Sequence, residues 1–71
     1  MTQADEIKKR IAALERDIET TDAEIARLTA EATTADASAR LELVRQIVEV
    51  RELARVGRVA LRAARADLAD E

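Results

Sequence analysis

Five arginines recur at Arg51, Arg55, Arg58, Arg62 and Arg65, four and three residues apart, and no acid falls between Glu52 and Asp67. Guanidinium groups at that spacing line up along one side of a helix, and their chemistry there is binding: phosphate oxygens of RNA or DNA, or carboxylates of the same chain. The segment from Arg40 to Ala66 carries seven Arg against three Glu, a local net charge of +4, which suits a polyanion. The whole chain is nevertheless at −3, it has no Phe, Tyr or Trp on which bases could stack, and no nucleic-acid-binding motif accompanies the stripe. A regulatory hairpin that binds RNA or DNA is therefore the alternative expectation, behind ion pairing within the protein.

Other chemistry finds no residues to perform it. The chain lacks Cys and His, so it has no thiol nucleophile, no disulfide frame, no imidazole ligand and no side chain that titrates near neutral pH. A carboxylate pair such as Glu15 and Glu19 has neither a neighbouring base nor a pocket to act in. Acid-bridged metal sites in helical bundles need carboxylates that project inward, and the apolar seams described next contain none. No catalytic residue, cofactor or metal is expected, and the chain is read as a non-enzyme.

The elements that must carry the arginines are helices. The 71 residues include one glycine and no proline, and Ala, Arg, Glu and Leu dominate, all good helix formers. From Ala4, the positions Ile7, Ile11, Leu14, Ile18, Thr21, Ile25, Leu28, Ala32 and Ala35 follow the alternating three-and-four spacing of a supercoiled helix. A second seam runs Leu43, Ile47, Val50, Ala54, Gly57, Leu61, Ala64, Leu68. Continuing the first frame places its core position at residue 46, whereas the second frame needs 47, a slip that a continuous coil does not absorb easily. Between the seams, Thr33 and Thr34 are poor helix formers, and Asp36 and Ser38 are both candidate N-caps.

An all-α fold follows, an antiparallel two-helix hairpin of coiled-coil type forming a single domain over 1–71. Helix one is expected over about 3–33, the turn over 34–38 and helix two over 39–68. The competing architecture is one unbroken helix of about 100 Å, paired in parallel. In the hairpin, layer partners such as Leu28 with Ile47, Ile18 with Gly57 and Leu14 with Leu61 have residue numbers that add to 75, and half of that falls inside the weak segment. Gly57 is read as a small residue facing a large one. The sequence Thr21-x-x-Glu24 matches a capping box, but the seam runs through it without a change of phase, so Thr21 is read as a polar seam residue.

Flank charges complete the hairpin. Arg51, Arg58 and Arg65 border the second seam, and Glu15, Asp22 and Asp36 border the first on the side that faces them. The heptad diagram pairs Asp22 with Arg51 and Glu15 with Arg58, sets Lys8 against Arg65 as a like-charge mismatch, and assigns Arg55 and Arg62 no partner.

Helix two also carries more apolar surface than one seam uses. Leu53, Val56, Ala60 and Ala63, with Val59 nearby, form one further strip, and Leu41, Val44 and Val48 another nearer the turn. A helix apolar on several sides is buried on several sides, and a small aliphatic core without aromatic residues gains from association. The expected function is a protein–protein interaction, scaffolding or structural module that acts through helix packing. Its partner is itself, as a homodimer of hairpins in a four-helix bundle or a higher homo-oligomer, or another helical protein. No run approaches a membrane span, and TQADEIKKR lacks the basic-then-apolar order of a secretion signal, so no membrane and a cytoplasmic location are expected.

Overall fold

The computed structural model describes residues 2–71. Helix α1 spans Gln3–Thr34 and helix α2 spans Ala37–Ala69, and the two pack side by side over their full lengths. The result is a rod of 53 × 14 × 13 Å, the length of one helix of about 33 residues rather than of the whole chain unbroken. No helix among the described residues is long and apolar enough to cross a membrane.

Each helix starts where a side chain can take up its free amides. The Thr2 hydroxyl accepts from the Asp5 amide at 3.2 Å, and Asp36 Oδ1 accepts from the Ala39 amide at 2.8 Å. Of the two candidate caps after helix one, Asp36 serves and Ser38 lies inside α2. The turn is consequently tighter than the expected 34–38, with only Ala35 and Asp36 outside the helices, both extended. The threonines do not end α1 early. Thr33 and Thr34 donate their hydroxyls to the carbonyls of Ala30 and Glu31, 2.7 and 3.3 Å away, and so stay helical to the last turn. At its far end α2 runs one residue past the expected Leu68.

The two seams meet as the spacing requires. Every seam position from Ala4 to Ala32 in α1, Ala35 just beyond it, and every one from Leu43 to Leu68 in α2 is buried or half-buried. Ile7, Leu28, Ala54, Leu61 and Ala64 form the fully buried set. Helix α1 passes through Thr21 unbroken, and the Thr21 hydroxyl donates to the Ile18 carbonyl at 2.9 Å instead of capping a new helix.

Gly57 faces Ile18 as the layer scheme requires: a Cβ placed on the glycine would lie 3.4 Å from Ile18 Cγ1. That is van der Waals contact, so the close approach does not demand glycine. Gly57→Ala is expected to stabilise the hairpin by about 0.5–1 kcal/mol by recovering helix propensity. Gly57→Leu is expected to cost about 1–3 kcal/mol, because Ile18 would have to move aside. Urea unfolding midpoints of the two variants test both signs.

Candidate functional site

Among the described residues, the large aliphatic side chains that remain exposed all sit on α2: Leu41, Val44, Val48, Leu53, Val56 and Val59. Exposure at Leu41 reaches 72%. Ala60 and Ala63 are exposed as well, so every residue of the expected association strips is open to solvent in the single chain. The strips occupy opposite flanks. Leu53, Val56, Ala60 and Ala63 lie along one side of the buried line through Ala54, Leu61 and Ala64, and Leu41, Val44 and Val48 lie along the other. Their exposure is a consequence of helix geometry, since α1 covers one face of α2 and the described residues form no third element.

The arginines line the flank of Leu41, Val44 and Val48, where three of the five find carboxylates. Arg58 donates to Asp22 Oδ1 at 2.6 Å, Arg65 approaches Glu15 to 3.9 Å, and Arg55 donates to Glu52 through Nη2 at 2.6 Å and Nε at 3.0 Å. Arg51 and Arg62 have no ion pair among the described residues.

These partners correct the expected ones. Asp22 takes Arg58 rather than Arg51, and Glu15 takes Arg65 rather than Arg58, which removes the expected Lys8–Arg65 opposition as the organising contact at Arg65. Arg55 has a partner on its own helix. The cause is the lean of side chains toward the N-terminus of their own helix. In an antiparallel pair the two leans are opposed: Arg58 slopes toward the turn and Asp22 away from it, so they converge. Asp22 and Arg51 slope apart. Two turns nearer the chain ends Glu15 and Arg65 repeat the converging geometry. The next rung toward the turn brings Thr29 to Arg51, and Thr29, whose hydroxyl is spent on the Ile25 carbonyl at 2.7 Å, supplies no negative charge.

The opposite side of the hairpin is acidic. There α1 presents Asp17, Glu24 and Glu31, of which the last two share Arg27. Hydrogen bonds from Arg27 hold the Glu24 carboxyl below the usual glutamate range, and those from Arg55 do the same for Glu52. Both pairs join residues three apart on one helix and stay in contact with solvent, so they favour the helix locally and contribute little to holding the hairpin shut. Their contribution is present above the ordinary glutamate range and is lost as pH falls through the lowered values.

One functional side chain for the fold escaped the sequence reading. Arg40, in the first turn of α2, reaches back across the turn and donates from Nε to the Ala32 carbonyl at 3.1 Å and from Nη2 to the Ala35 carbonyl at 2.9 Å. It thereby satisfies carbonyls that the C-terminus of α1, with no basic residue in its last turn, leaves open.

No group of three or more Asp or Glu among the described residues is placed to hold a metal ion. The surface depressions are shallow; one, between Ile18 and Leu61, is rimmed by Arg58, Arg62 and Arg65, and another by Thr29, Ala32, Ile47, Val48 and Arg51. Neither brings a carboxylate to a second acid or base. No family model, curated protein or solved structure matches this chain.

Proposed function

We propose that the chain is a cytoplasmic, non-enzymatic interaction module, a scaffolding or structural-assembly element that works by helix packing and associates with copies of itself into a bundle of four or more helices. One observation carries this reading: among the described residues, the six exposed large aliphatic side chains are all on α2, on faces that α1 leaves uncovered. Monomeric soluble proteins scatter such residues singly, whereas strips of them mark contact surfaces. The nucleic-acid reading stands second, because Arg55, Arg58 and Arg65 are engaged by acids of the same chain.

Sedimentation tests the proposal. The wild-type chain is expected to show a mass above that of one chain at micromolar concentration. Val56→Glu, at a position 53% exposed in the single hairpin, is expected to weaken association at least tenfold while leaving helicity unchanged. A wild type that stays monomeric up to the highest soluble concentration refutes self-association.

A further inference from the structure

The two strips differ in charge as well as position, and the difference specifies how copies meet. On one flank, Leu53, Val56, Ala60 and Ala63 stand between acids, with Glu42 and Glu49 toward the turn and Asp67 and Asp70 toward the chain end. All lie on one line of three-and-four spacing, and Asp17, Glu24 and Glu31 of α1 border the same side. On the other flank, Leu41, Val44 and Val48 lead directly into the arginines, among which Arg51 and Arg62 have no ion pair among the described residues.

A two-fold interface lays a surface on itself. If the acidic flank met itself antiparallel, with Val56 on Ala60 and Leu53 on Ala63, Glu49 would face Asp67; in parallel, each acid would face its own copy. The basic flank on itself would oppose arginines. Laid antiparallel across the basic flank of a second copy, the acidic flank behaves differently. Leu53, Val56 and Ala60 then reach the level of Val48, Val44 and Leu41, and the same register carries Glu49 to Arg51, which has no ion pair among the described residues. Like-charge juxtaposition selects against a partner and opposite charge selects for one.

We propose that the acid-flanked strip of one chain docks on the arginine-flanked strip of a second copy of the same chain. The inference rests on the self-association proposed above and fixes its geometry. Because the two contacting surfaces differ, a docked pair still presents one free strip of each kind, one on each copy, and assembly propagates head to tail instead of stopping at a dimer.

Two blocking variants decide the matter. Val56→Glu spoils the acidic flank and leaves the basic one intact; Val48→Glu, at a position 60% exposed, does the reverse. By analytical ultracentrifugation, the wild type is expected to climb past two chains as concentration rises and to dissociate as salt is raised. Each variant alone is expected to remain a single chain. An equimolar mixture is expected to form a species of two chains and go no further, since only the two unspoiled strips can meet. A second pair, Leu53→Glu with Val44→Glu, must give the same result, and circular dichroism of each variant must match the wild type. A wild type that stops at two chains, or variants that fail to complement each other, overturns the head-to-tail contact while leaving self-association standing. A monomeric wild type overturns both.

Discussion

Leu28→Ala is expected to remove about 2–5 kcal/mol of folding stability, the transfer loss of a buried leucine plus the cavity it leaves. Leu28 is 1% exposed and the largest fully buried side chain among the described residues. A chain of this length holds about 4–10 kcal/mol in total, so a single truncation takes about a fifth of it or more. Layers here have only two walls, which leaves little beyond the neighbouring seam residues to relax into the space. The control is Leu41→Ala, which removes the same atoms from a side chain 72% exposed. In the isolated hairpin it is expected to change stability by no more than about 0.5 kcal/mol. Urea unfolding at a concentration where the wild type is monomeric, compared at equal m-values, measures both. A Leu28→Ala variant within 0.5 kcal/mol of wild type would mean that the two seams do not form the core.

The contrast between Leu28 and Leu41 also shows what the sequence could convey. Three-and-four spacing is a property of single residues on a regular helix, so the seam positions from Ala4 to Leu68 could be read directly, together with the hairpin that their slip of phase implies. The same spacing separated Leu41, Val44 and Val48 from the core, and these residues are exposed. What the spacing does not carry is direction along the axis. A flat heptad diagram sets Asp22 level with Arg51, and only the lean of real side chains toward their helix N-termini moves the contact to Arg58.

Arg40 escaped for a related reason. Its contacts with Ala32 and Ala35 exist only after α2 has folded back, and nothing local distinguishes it from an arginine on a solvated face. A signal was available in retrospect: α1 has no glycine at its C-terminus and no basic residue in its last turn, so its open carbonyls had to be met by water or from elsewhere. The first turn of α2, two residues away, is the nearest source of a donor.

The turn is therefore the second point at which a small change should have a large effect. Asp36 and Arg40 divide the work: the first accepts from the Ala39 amide at the start of α2, and the second donates to the carbonyls at the end of α1. Removal of the cap in Asp36→Ala is expected to cost about 1 kcal/mol. Arg40→Ala is expected to add up to about 1 kcal/mol, below the usual range for hydrogen bonds to a charged group because the guanidinium is solvent-exposed. The two act on one turn, so the double variant need not equal their sum, but a loss near 2 kcal/mol is expected to lower the melting midpoint by about 8–16 °C.

The double variant also changes what the hairpin competes with. With alanine at position 36, the segment 30–40 contains no residue that obliges the helix to stop, since Thr33 and Thr34 are helical even in the hairpin. The unbroken helix of about 100 Å then loses its main obstacle, leaving only the one-residue slip between the seams to oppose it. Scattering of the double variant, at a concentration where the wild type is monomeric, is expected to show particles longer than the 53 Å of the wild-type hairpin, with labels at Leu14 and Leu61 of the same chain moving apart. A double variant that keeps the wild-type length and melts within 2 °C of it would show that the seams alone, through the match of Leu28, Ile25 and Ile18 to their partners on α2, enforce the fold-back without help from the caps.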